Sequence, residues 1–129
     1  MIVFGSVMSG DDAVKGLMYV KEPLNPRYGM LFDVGYKVNS MWMKNTFIPL
    51  DVIFLDKNMN IIGFKENNQP HSLKSIMINK PSKYVLEMNA GTVKNFNLKK
   101  GDKIYFLNLK FIYILIFFII LFIFFKYFK

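Results

Sequence analysis

The chain has 129 residues, with 17 Lys and Arg against 9 Asp and Glu, a single His and no Cys. That length holds one domain with a modest core, and the missing cysteines exclude disulfides, thiolate zinc sites and a cysteine nucleophile. The net charge of +8 comes from basic residues scattered singly, Lys99-Lys100 being the only adjacent pair, so nucleic-acid binding has no arginine-rich or aromatic pattern behind it and is not expected.

In chain order, residues 1–8 are apolar but lack a basic start and a small-residue cleavage site, and they read as an opening strand rather than a signal peptide. Ser9-Gly10-Asp11-Asp12 supplies a cap and two carboxylates for a short helix from Asp12 to about Met18, with Gly16 either packing closely or ending a turn. Pro23, Asn25 and Pro26 break regular structure. A short apolar strand over residues 28–32 follows, then a loop over 33–39 and an extended segment over 40–46. Residues 51–55 and 61–64, separated by the polar run 56–60, predict an antiparallel hairpin in the middle of the sheet. Residues 65–72 form a loop dense in hydrogen-bonding side chains, and 73–80 continue irregularly. Residues 83–88 alternate as a strand, Ala90-Gly91-Thr92 opens a helical turn over 93–96, and Lys100-Gly101-Asp102 turns into a last strand over 104–107. The expected fold is α+β and β-rich: an antiparallel sheet curled into a partly open barrel with two short helices over residues 1–109.

The stretch around which this chain is arranged runs from Trp42 to Asp56. Trp42-Met43-Lys44-Asn45-Thr46 places an aromatic face, an ammonium, an amide and a hydroxyl within five residues, and Pro49 biases Ile48 to an extended backbone. Alternation puts Trp42, Lys44 and Thr46 on one side and Met41, Met43 and Asn45 on the other. A strand, a turn and a second strand, with polar residues merely satisfying the turn, would need the same residue types.

Several segments together resemble the domain of unknown function 192 (DUF192) family of small prokaryotic domains. They are Gly16-Leu17-Met18, Gly29-Met30-Leu31-Phe32, Trp42-Met43-Lys44-Asn45-Thr46, Pro49-Leu50-Asp51 with Phe54, then Pro70, Tyr84-Val85-Leu86-Glu87, Ala90-Gly91 and Gly101-Asp102. The resemblance spans about residues 3–107, and its specific part is the Trp-Met-Lys-Asn-Thr block. It implies a compact β-rich, barrel-like fold and no established activity. Members of the family usually carry an extra first strand or a secretion signal, and usually stop near the Gly-Asp strand.

As candidate site residues the sequence offers Trp42, Lys44, Asn45, Thr46 and Asp51, joined by Asn67 and Glu87, lining one concavity. In a binding module Trp42 and Phe47 give stacking surface and the polar groups orient a small anionic or sugar-like ligand. In an enzyme Asp51 or Glu87 is the general base and Lys44 stabilises developing charge. A structural or partner-contacting domain, in which Lys44 pairs with one of these carboxylates, is the third reading. No cofactor is implied. A metal site is not expected either, since Asp33, Asp51, Asp56 and Glu87 have no ligand spacing and His71 reads as a solvated loop residue.

Residues 110–129 differ from the rest. Residues 111–125 carry no charge and no proline, and are apolar on every face of a helix, which predicts a single-pass carboxy-terminal membrane anchor in contact with lipid. Fifteen residues span roughly 22 Å at ~1.5 Å each, short of a ~30 Å hydrocarbon core, a deficit that snorkelling Lys110 and Lys126 and local thinning absorb. The simplest topology leaves residues 1–109 in the cytoplasm; translocation of that domain is the runner-up.

Overall fold

The structure is a computed structural model that describes residues 1–128. In chain order the elements are β1 (Ile2–Met8), α1 (Asp11–Lys15), β2 (Tyr28–Lys37), β3 (Ser40–Met41), β4 (Leu50–Leu55), β5 (Ile61–Asn68), β6 (Ile76–Met77), β7 (Ser82–Asn89), α2 (Thr92–Asn95), β8 (Tyr105–Asn108) and α3 (Leu109–Tyr127). Eight strands form a six-stranded sheet in the order β5-β4-β7-β2-β1-β8 and a separate two-stranded ladder of β3 with β6.

Strand β4 explains the layering. Its six residues, Leu-Asp-Val-Ile-Phe-Leu, are all buried, the mark of a strand covered on both faces. On one face Leu31, Ile53, Leu55, Leu86 and Met88 pack under Val93 of α2 and Leu98 and Ile104 beyond it. On the other, Met30, Phe32, Leu50, Val52, Phe54 and Val85 are covered by Leu17, Met43, Ile48 and Ile76. The domain is therefore a sheet with a layer on each side.

That arrangement corrects the partly open barrel. A barrel needs one inward face, whereas this sheet buries two, and it stays open. Its edge strands meet only where the segment before β8 touches the start of β5, through an Asn60–Lys103 bridge and the Ile61 N–H donating to Asp102 O at 2.8 Å. The sheet is also mixed rather than antiparallel, because β1 runs parallel to both β2 and β8. The expected hairpin is present as β4 and β5, but only β4 is central, and β5 is an edge.

Two local expectations shift. The loop over 33–39 is largely strand, since β2 keeps pairing with β7 through a bulge between Asp33 and Lys37, and Lys83 Nζ lies 2.6 Å from Asp33 Oδ1. The first helix stops at Lys15 because Gly16 adopts φ 45°, a region open to glycine and strained for other residues.

The parallel pairing of β1 with β2 depends on a backbone approach that tolerates no side chain. Gly5 lies opposite Gly29, and a Cβ on Gly5 would fall 1.7 Å from the Gly29 carbonyl oxygen. Because the obstacle is backbone, rotamer adjustment offers no relief. Gly5→Ala is expected to cost about 3 kcal/mol or more, the upper end of overpacking penalties; urea unfolding of the variant beside the parent chain measures it, and a loss under 1 kcal/mol would contradict the close approach.

Candidate functional site

The candidate site starts from strand parity in β7. Glu87 lies opposite Met30 of β2 and Val52 of β4, so its side chain shares the face of Phe32, Val85 and Met43. It is 5% exposed. Among the described residues it has no charged or hydrogen-bonding partner, and burial alone pushes its pKa up from 4.5 to about 8. Near neutral pH Glu87 is thus a neutral carboxylic acid that can both donate and accept a hydrogen bond.

Two chain segments wall it in. One is the turn after α1, carrying Gly16 and Leu17; the other is the loop after β3, carrying Trp42, Lys44 and Thr46. The second loop is strapped down by its backbone: Met43 N–H donates to Ser72 O at 3.0 Å, Thr46 N–H to Met43 O at 3.1 Å, and His71 N–H to Thr46 O at 3.1 Å. The Met43 side chain is fully buried and pins the loop from below. Trp42 is left half exposed, and Lys44 Nζ stands 5.1 Å from its ring centroid, within cation–π range. Trp42 and Lys44 are neighbours, but not through strand alternation: β3 ends at Met41 and residues 43–46 form a turn closed by the Thr46 N–H to Met43 O bond, with Met41 on the same wall as Trp42, Lys44 and Thr46, which corrects the extended segment expected over residues 40–46.

Trp42, Lys44, Thr46 and Glu87 line one crevice of about 40 Å³. A single water needs roughly 10–15 Å³ of such space, so the crevice admits one small polar group, with Trp42 outside it as a platform.

The other three residues lie elsewhere. Asp51 is fully buried but stands opposite Met88, on the reverse face of the sheet from Glu87. Its Oδ1 accepts the Asn67 N–H at 2.8 Å and its Oδ2 accepts the Val93 N–H at 2.9 Å, tying the end of β5 and the start of α2 to the central strand. Asn67 itself lines a different cleft of about 340 Å³ with Lys65 and Lys74. Asn45, at φ 53°, donates to the Tyr19 hydroxyl at 3.0 Å away from the crevice. The expected single concavity around seven residues is therefore a crevice around four of them, because one residue of strand parity separates Asp51 from Val52. The ion pair suggested between Lys44 and a carboxylate is not formed among the described residues, where the one salt bridge is Lys83 to Asp33. No group of three or more His, Asp or Glu among them could hold a metal.

Gly16, Leu17 and Phe32 also line the crevice and were not expected there. The signal lay in the resemblance: Gly16-Leu17-Met18, Phe32, the Trp42 block and Glu87 are motif segments far apart in sequence that converge on this point.

An open mixed sheet, layered on both faces and holding a buried carboxyl at a crevice wall, defines a small α+β domain with a polar crevice. The chain belongs to the DUF192 family, described as an uncharacterised ACR, whose model matches residues 7–106. It is similar to a protein of known structure from Sinorhizobium meliloti 1021, described there as a proposed transcription regulator, with 40% identity over 77% of this chain and 78% of that one, at a TM-score of 0.74. It is also similar to a protein of unknown function from Novosphingobium aromaticivorans DSM 12444, with 31% identity over 77% of this chain and 71% of that one, at a TM-score of 0.72. Among curated proteins none matches the chain.

The buried acid gives a pH dependence with a definite sign. With a folded pKa of about 8 against 4.5 for the free group, the folded state binds the extra proton across that window. Stability from this group is complete below about pH 4.5 and is lost as pH rises towards 8, by on the order of 5 kcal/mol in total. Denaturant unfolding across this range should show the decline, and Glu87→Gln should abolish it. An unchanged slope in the variant would place the titrating group elsewhere.

Proposed function

We propose that the chain is a membrane-anchored module that binds a small ligand at the Glu87 crevice. The observation that supports this most is Glu87 itself: 5% exposed, its carboxyl reaches the crevice rather than being sealed from it, and with no protein partner its hydrogen-bonding capacity is free for whatever enters. Asp51, equally buried, has both oxygens engaged by backbone N–H groups and so has a structural explanation that Glu87 lacks. A ligand fits the crevice by inserting one hydroxyl or anionic group. Neutral Glu87 hydrogen-bonds that group, Lys15 and Lys44 on the walls favour negative charge, and the exposed Trp42 face takes the body of a sugar-like or small anionic molecule. The alternative, an enzyme in which Glu87 serves as the acid or base and Lys44 stabilises charge, draws on the same raised pKa; turnover of the bound ligand would select it.

The anchor rests on α3, whose 19 residues form a helix long and apolar enough to cross a membrane, with none of its length buried in the domain. A core helix of a soluble protein would be covered by its own fold.

Trp42 is the chain's only tryptophan, so its fluorescence reports the site directly. With the full chain in detergent micelles, a panel of sugars and small carboxylates is expected to contain a ligand that shifts this emission and raises the melting temperature. Lys44→Met should abolish both effects without unfolding the domain, and Glu87→Gln should retain binding at pH 7 where Glu87→Leu does not. Saturable binding indifferent to Lys44 and Glu87 would overturn the site.

Anchoring is tested by alkaline carbonate washing of membranes, which should leave the full chain in the pellet. Its recovery in the soluble fraction would overturn the anchor, and protease protection decides which side carries the domain.

A further inference from the structure

We propose that the outer strand pair, β1 with β8, forms a membrane-apposed surface. In it, Ile2, Phe4, Tyr105 and Leu107 rest in the headgroup boundary of the bilayer that α3 enters. The proposal rests on the anchor reading above and adds to it a second point of lipid contact, made by the domain itself.

The register places these side chains together. Ile2 pairs with Tyr105 and Phe4 with Leu107 in the parallel ladder, and alternation sends all four to the same face, while Val3 and Phe106 between them turn to the opposite core. The layer that covers this face over β2, β4 and β7 does not reach them. They are 47%, 37%, 57% and 42% exposed respectively, around a shallow hollow of about 370 Å³ lined by Met1, Ile2, Tyr105 and Leu107. A water-facing edge strand ordinarily carries polar or charged side chains on its open face; this one carries Tyr and Leu. A contiguous exposed apolar patch marks a contact surface.

The junction with α3 selects the occupant. Strand β8 ends at Asn108 and the helix begins at Leu109 with no linker, and Asn108 caps it by accepting the Lys110 N–H at 3.0 Å. Leu107 therefore lies only ~7 Å along an extended chain from the first helical residue. A helix of 19 residues is ~28 Å long, slightly under the ~30 Å hydrocarbon core, and the mismatch draws its root into the interface. Charge agrees with this placement. Neither β1 nor any residue from Lys103 onward is acidic, and Lys103, with its Nζ 5.9 Å from the Tyr105 ring centroid, and Lys110 flank the patch. Lysines beside an interfacial tyrosine are what an anionic headgroup layer attracts. The family match covers residues 7–106, so Tyr105 lies within the matched span while Ile2, Phe4, Leu107 and α3 lie outside it.

Depth-dependent fluorescence quenching tests the proposal. The full chain is reconstituted into phosphatidylcholine–phosphatidylglycerol vesicles containing lipids brominated high on the acyl chain or, in a parallel preparation that reads position 118 at the middle of α3, near its end. Single tryptophans are read at Trp42 in the parent chain and, in a Trp42→Phe background, at Tyr105→Trp, Leu107→Trp and Phe118→Trp, each variant first shown to melt like its parent. The expected result is at least twofold quenching at 105, 107 and 118, with Trp42 unaffected. Quenching at 118 without quenching at 105 and 107 overturns the inference while leaving the anchor intact. No quenching at 118 defeats the anchor reading and the inference with it. Equal quenching at Trp42 would mean that the whole domain sinks into lipid, which also overturns a localised surface.

Discussion

Every residue of β4 is withdrawn from water, and a central strand apolar on both faces requires a cover on each side. Most of the architecture follows from meeting that requirement in little more than a hundred residues. One cover is a short helix and the segment after it. The other is built from irregular chain, the turn after α1 and the loop holding Trp42, where backbone polar groups would be left without partners unless the loops bond one another. The bonds from Met43 to Ser72, His71 to Thr46 and Tyr19 to Asn45 are that solution, and the crevice is the gap between loops fixed in this way. Its walls also serve as the cover of a core, through Leu17 and Met43.

Asp51 and Glu87 show how one sheet treats two buried carboxyls differently. They sit on adjacent strands, one residue out of step, and so face opposite layers. On Asp51's side the start of α2 and the end of β5 bring backbone N–H groups to both oxygens, and the carboxyl becomes a tie between elements. On Glu87's side the neighbouring strand brings Phe32 and the covering loop brings Trp42, Thr46 and Lys44 but no hydrogen bond, so burial acts without compensation and the proton is retained. A carboxyl held neutral at a crevice wall is a different chemical object from a structural carboxylate, and the backbone on each side of the sheet makes the difference.

Strands β4, β5 and β7 are legible in the sequence because apolar alternation and a polar connection of hairpin length leave few other arrangements. Their position in the sheet is not, since neighbour order depends on the parallel pairing of β1 with β2 and β8, which no local pattern encodes. The number of strands fits a barrel as well as an open sheet; only the double-sided burial distinguishes them. At the site, the proximity of Trp42 and Lys44 is readable from their closeness in the chain, although a turn after Met41 rather than an extended segment carries both. Asp51 was misplaced by its closeness in the chain, as Pro49 ends one segment and the parity of β4 begins anew. Glu87 and Gly16 could be joined to the site only through motifs resembling a family, because chain separation hides contact. The α3 helix was legible throughout, since fifteen residues apolar on every side are incompatible with a domain this size burying them.

The absence of a linker before α3 links the crevice to the membrane question. Phe4 and Met8 lie on the same face of β1, ~13 Å apart at strand spacing. Met8 pairs with Phe32, which lines the crevice, while Phe4 belongs to the apolar patch beside the helix root. The ligand position and the patch are thus two ends of one strip of sheet surface. With the patch end seated at the headgroups, the crevice would stand ~13 Å above them in water, beyond the ~8–10 Å over which the bilayer's surface potential decays. Charge selection at the crevice therefore falls to its own walls, where Lys15 and Lys44 stand. Glu87, neutral and able both to donate and to accept, and Trp42, half exposed at the mouth, present a hydrogen-bonding group and an apolar face side by side, which is what the crevice end of the strip offers and the patch end lacks.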